Sequence, residues 1–101
     1  MITDPNVQRL EFSNLSDEEL DFIVTPNPSD GFVNLYIHAS ESAQNETIEI
    51  ILNDMLGRVV SKQKYKKANY LRLNFGSKPP GLYFITVRIN DHEKTKKIII
   101  H

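Results

Sequence analysis

From residue 21 to the end, apolar and polar side chains alternate with a period of two. That is the spacing that puts one face of a β-strand on a core. In "FVNLYIHA" (32–39), Val33, Leu35 and Ile37 fall on one face, and Phe32, Asn34, Tyr36 and His38 on the other. "TIEIILND" (47–54) groups Ile48, Ile50 and Leu52. "YLRLNF" (70–75) groups Leu71, Leu73 and Phe75, and "GLYFITVRIN" (81–90) groups Tyr83, Ile85, Val87 and Ile89. "DFIV" (21–24), "GRVVSKQKY" (57–65) and "EKTKKIII" (93–100) complete seven short strand-like segments. Seven such strands, separated by turn signals and with no convincing helical stripe, predict an all-β fold, an antiparallel β-sandwich. Three consecutive isoleucines at 98–100 break the alternation. They are expected to be covered on both faces, or partly exposed at the strand end, or else offered to a partner by strand addition.

The turns are specific. "TPNPSDGF" (25–32) holds two prolines that stop a ladder for want of N–H groups, and Gly31 permits the reversal that follows. Pro26 and Pro28 push Thr25 and Asn27 toward extended geometry. In "NDMLGR" (53–58), Asp54 can accept from backbone two residues on and Gly57 can take positive φ, which predicts a type I turn closed by a glycine bulge. "NDHEK" (90–94) reads as a second hairpin turn. In "GSKPPGLY" (76–83), Pro79 and Pro80 exclude pairing and Gly81 opens the next strand. Residues 1–20 lack any such pattern. Ser16 and Glu19 have capping-box spacing, but no helical stripe follows. We therefore expect residues 1–20 to be a linker and residues 21–101 to be the sandwich.

A chain of 101 residues is one domain by size. It has no cysteine, so no disulfide framework or thiolate metal site is available. Twelve basic and thirteen acidic residues give a net charge of −1, which offers no overall field for nucleic acid or an anionic membrane. No apolar run approaches a membrane span. No basic-then-apolar start suggests a signal peptide, so any export signal of that kind is expected further upstream.

Candidate chemistry is sparse. His38, His92 and His101 share no ligand spacing and read as surface histidines. The acidic cluster Asp17, Glu18, Glu19 and Asp21 has no calcium-loop pattern and reads as solvated linker. No nucleophile elbow or phosphate loop is present in the sequence, so no enzyme is expected and no cofactor or metal is called for. "NLS" (14–16) and "NET" (45–47) match glycosylation acceptors of the kind chance produces. Lys62, Lys64, Lys66 and Lys67, with Tyr65 and Tyr70 nearby, could track phosphate. The overall charge balance favours instead an exposed strand whose lysines discourage edge pairing. An alternative role is an autonomous adhesion or carbohydrate-binding sandwich, with Phe32, Tyr36 and Phe84 as exposed aromatics.

Four motifs in order carry a resemblance. They are Pro26-Asn27-Pro28 with Gly31, Asp54 to Arg58 with Gly57, Gly81 with Tyr83, and the closing Lys96-Lys97-Ile98-Ile99-Ile100. Together they resemble the C-terminal sorting domain of the type IX (Por) secretion system of Bacteroidetes, type A, over roughly residues 22–101. Thr25 stands where that family often has an aromatic residue, and His101 where Lys or Arg is common. The resemblance implies an immunoglobulin-like sandwich that is itself a secretion signal. It implies an upstream cargo, passage through the periplasm, and recognition by an outer-membrane translocon. It also implies removal by a sortase-like peptidase, with residues 1–21 as the linker that holds the cut, and delivery to the cell surface or medium.

Overall fold

In the computed structural model, which describes residues 20–39 and 47–101, seven strands follow one another. They are β1 (Leu20–Thr25), β2 (Phe32–Ala39), β3 (Thr47–Asp54), β4 (Val59–Lys66), β5 (Tyr70–Asn74), β6 (Gly81–Ile89) and β7 (His92–Ile100). Every strand pair is antiparallel. One sheet has the order β1-β2-β5 and the other β4-β3-β6-β7. The described residues contain no helix. This is the expected β-sandwich, with strand limits within two residues of those read from the sequence. The capping-box residues, the acidic cluster up to Glu19 and the "NLS" triplet lie outside the described residues, as do the first two residues of "NET".

The alternation works as burial on one face per strand. Phe22, Val33 and Leu35 from the three-stranded sheet meet Ile48, Leu52, Ile85, Val87 and Ile98 from the four-stranded sheet, all essentially free of solvent. Leu71, Val60 and Tyr65 pack against the margins of that core. Interdigitation of two inner faces is what holds such a sandwich together. The hairpins β3–β4 and β6–β7 stay within one sheet, while the chain changes sheet between β2 and β3, β4 and β5, and β5 and β6.

Both predicted hairpin turns form. Gly57 N donates to Asp54 O at 3.0 Å and Gly57 has φ of 85°. Asp54 N donates to Arg58 O at 3.0 Å, which closes the hairpin. At the β6–β7 turn, Asn90 has φ of 57°, the left-handed region that Asn tolerates.

The open side of the sandwich, where β1 lies near β7, is closed by charge. Asp21 is buried, and Lys96 Nζ and Lys94 Nζ lie 3.3 and 3.9 Å from its Oδ1. That oxygen receives no well-aligned hydrogen bond, so the two ammonium groups hold it by Coulomb attraction. Lys96 Nζ also lies 5.3 Å from the centre of the Phe22 ring.

One expectation is corrected. The three isoleucines do alternate: Ile98 and Ile100 are 0% and 2% exposed, whereas Ile99 is 45% exposed. β7 is an edge strand with one face on the core, and the outward Ile99 lies opposite Leu82 of β6; of the expected alternatives, partial exposure at the strand end is the one that Ile99 fits.

Candidate functional site

The four motifs, scattered from Pro26 to Ile100, form one continuous strip at one end of the sandwich. Asp54 pairs with Tyr83, Tyr83 with Ile98, and Gly81 with Ile100. Ser29 then forms a parallel bridge to Ile100. The strip thus runs from the β3–β4 turn, through the start of β6 and the end of β7, to the Pro-Asn-Pro corner.

The corner is a clamp on the last strand. Pro26 and Pro28 have no N–H, and both follow cis peptide bonds. Between them, the Asn27 carboxamide does what a strand residue would do. Its Nδ2 donates to Lys97 O at 3.0 Å and its Oδ1 accepts from Ile99 N at 2.9 Å. Ser29 continues the pairing through its backbone. Its N–H donates to Ile99 O at 2.8 Å, and its carbonyl accepts from His101 N at 2.8 Å. The buried Ser29 hydroxyl donates to Phe32 O at 2.7 Å and accepts from Gly31 N at 2.9 Å. Gly31, at φ of 120°, lies so close to Gly76 that an added Cβ would be 2.6 Å from its Cα. No side chain fits there, and Phe75 N donates to Gly31 O at 2.7 Å.

At the other end of the strip, Asp54 organises its turn. Its Oδ1 accepts from Leu56 N at 2.9 Å and Arg58 N at 3.0 Å, and its Oδ2 accepts from Arg58 Nε at 2.7 Å. Partial desolvation pushes the carboxyl pKa up, but the hydrogen bonds from Arg58 and Leu56 and the guanidinium charge together bring it below its ordinary value. The turn holds Met55 and Leu56 out at 67% and 77% exposure. Between Asp54–Leu56 and Pro80–Tyr83 lies an open cavity of about 180 Å³. Tyr83 is buried, and its hydroxyl donates to Pro79 O, which pins the loop before β6. The strip therefore presents apolar side chains (Met55, Leu56, Val59 and Ile99) beside a charged turn. Such a surface can bind a polypeptide.

Other candidates fall elsewhere. Phe32 and Tyr36 share the outer face of the three-stranded sheet with Tyr70, whose ring lies 5.2 Å from that of Tyr36. Phe84 lies on the other sheet, so the three aromatics proposed for a carbohydrate surface are not brought together. Lys96 turns toward Asp21, while Lys97 offers its carbonyl to the clamp. Among the described residues no group of three histidines or carboxylates is spaced to hold a metal ion. Sequence reasoning overlooked Ser29, Met55 and Leu56. The pattern Pro-Ser-x-Gly (28–31) pointed to a hydroxyl able to satisfy a tight corner, and Met55 and Leu56 are two large apolar residues at a turn tip.

Fold and site together define a β-sandwich whose distinctive residues lie side by side in one strip. The sequence model of the secretion system C-terminal sorting domain matches residues 24–101, and the chain belongs to that family, the sorting domains of type IX secretion. No curated protein matches the chain significantly. The family is one of export signals and not of enzymes. Membership ties the domain to a cargo protein and to export to the cell surface or the medium.

Proposed function

We propose that the domain is the address read by the outer-membrane translocon of the type IX system on a cargo fused upstream of it. The cargo waits in the periplasm, and the strip from Met55 to Asn27 is the surface that is read. A sortase-like peptidase then cuts upstream of β1, within residues 1–19, and leaves the cargo at the surface or in the medium; the expected linker 1–21 is shortened because Leu20 and Asp21 are buried in β1. The observation that carries this reading is the convergence of the four family motifs on one strip, although they are distant in sequence. A structural role for each motif alone would not require them to be neighbours.

The test is a fusion of a periplasm-exported fluorescent protein ahead of residues 1–101 in a host with a type IX system. Fluorescence is expected outside the cell. Retention in the periplasm, while a known sorting domain is exported in parallel, would sink the proposal. A second arm replaces Met55 and Leu56 by Ser. Exposed substitutions change stability by about 0.5 kcal/mol or less. The folded variant is therefore expected to melt normally and to lose most of its export. Undiminished export would show that this part of the strip is not read.

A further inference from the structure

The two edges of the four-stranded sheet are treated differently. On β7, Asn27 and Ser29 occupy the ladder groups of Lys97, Ile99 and His101. On β4, no described strand pairs with the outer edge. β4 carries one register irregularity, opposite Leu52 and Asn53, where Val60 is passed over. Beyond it, Ser61 to Lys66 pair regularly with β3. Six regular residues are enough for another strand to add.

The side chains along that edge select the partner. Lys62, Lys64 and Lys66 alternate onto the outer face, opposite Ile51, Glu49 and Thr47, and all three are exposed. Lys62 shares Glu49 with Arg88, at 3.6 and 3.0 Å. Lys64, Lys66 and Lys67 have no carboxylate partner among the described residues. On the inner face, Val60 and Tyr65 pack against the core but stay partly open. The charge distribution agrees. Residues 24–101 hold eleven basic and seven acidic side chains, a net +4 that attracts an acidic partner. Lysines repel a like-charged edge. By the same Coulomb argument they admit an edge that carries carboxylates.

We propose that the open edge of β4 is a docking site for an extended acidic segment of a partner protein, which joins the sheet as a fifth strand. Glu or Asp at alternate positions faces Lys62, Lys64 and Lys66. Apolar residues at the positions between them cover Val60 and Tyr65. This site is separate from the strip read in export, and it stands or falls independently of that role.

The probe is a synthetic eight-residue peptide alternating Glu with Val, titrated into the 101-residue protein and followed by amide chemical shifts and hydrogen exchange. Binding is expected to protect amides of residues 61–66. It should weaken about tenfold between 20 and 300 mM salt, as screening shortens the reach of the lysines. The Lys64→Ser, Lys66→Ser variant, which alters exposed residues only, should lose at least about tenfold in affinity while keeping its melting temperature. Four results would overturn the inference. Equal binding of a scrambled peptide of the same charge would mean charge attraction without strand addition. Protection of another strand would place the site elsewhere. Competition by the protein's own residues 1–19, seen as tight binding only after they are removed, would mean the occupant is internal. Preference for a single-stranded oligonucleotide at the same lysines would replace a protein partner with a nucleic acid.

Discussion

Asn27 shows how a side chain can stand in for a backbone. Two prolines remove the N–H groups that a strand would offer the edge of β7, and the carboxamide between them supplies one donor and one acceptor in their place. Replacing Asn27 by Ala deletes two hydrogen bonds at an exposed site, each worth about 0.5–1.5 kcal/mol net. The loss should come to about 1–2 kcal/mol in urea unfolding, and local exchange at Ile99 N should rise before any global change. Ser29→Ala leaves the Gly31 N–H and the Phe32 carbonyl unpaired by that hydroxyl in a buried place, for a cost of about 1–3 kcal/mol. An Asn27→Ala variant as stable as the parent would mean that the clamp is held by Ser29 alone. Asp54 makes a prediction about pH. Its folded pKa is lowered, so its contribution is present above the unfolded pKa and is lost as pH falls through the folded value. Asp54→Asn should therefore be less stable than the parent near neutrality, and the two should converge in acid. Unfolding midpoints measured from about pH 7 down to about pH 2 check this, and a gap that widens in acid would contradict it.

The strands were legible because their chemistry repeats every two residues, as with Val33, Leu35 and Ile37. The hairpin turns were legible because Asp54, Gly57 and Asn90 are residue types that their backbone geometry demands. Ile99 was not legible. Alternation tells which face a residue takes, but not what lies beside it on the neighbouring strand, where Ile99 has Leu82 as its cross-strand partner. Period two separates the closing lysines: Lys94 and Lys96 reach Asp21, and Lys97 turns to solvent. The pair between β1 and β7 is an interaction between elements, and a double-mutant cycle measures it. Lys96→Met removes the nearer of the two ammonium groups that face the buried Asp21 carboxylate. Because Lys96 is itself about a third exposed, the cost is set at about 1–2 kcal/mol, below that of a fully buried pair. Adding Asp21→Asn should recover part of that loss. Strict additivity of the two changes would show that the ion pair contributes nothing.

Pairing order was the part of the fold that no local pattern carried. Each strand's sequence fits either sheet, and the order β4-β3-β6-β7 is decided by which inner faces fill one core. The same non-local packing assembles the strip of motifs, which is why they could be noticed in order along the chain but not seen to touch. On the proposed reading the last strand serves both folding and export, and the two can be separated. Removing Ile98–His101 withdraws two fully buried isoleucines and the ladder partners of Ser29 and Asn27. Losing a buried isoleucine costs about 2–5 kcal/mol, against a total of about 5–15 kcal/mol for a typical domain. The truncated protein should have little or no cooperative melting transition by near-ultraviolet circular dichroism, and its cargo should stay in the periplasm. The Met55→Ser, Leu56→Ser variant should fail in export while melting like the parent, because those side chains touch water and not the core. Export loss with folding intact locates the read surface on the strip, whereas export loss only when folding is lost would mean that the machinery reads the folded sandwich through some other face. A truncated protein that still melts cooperatively and is still exported would refute the dual role of β7.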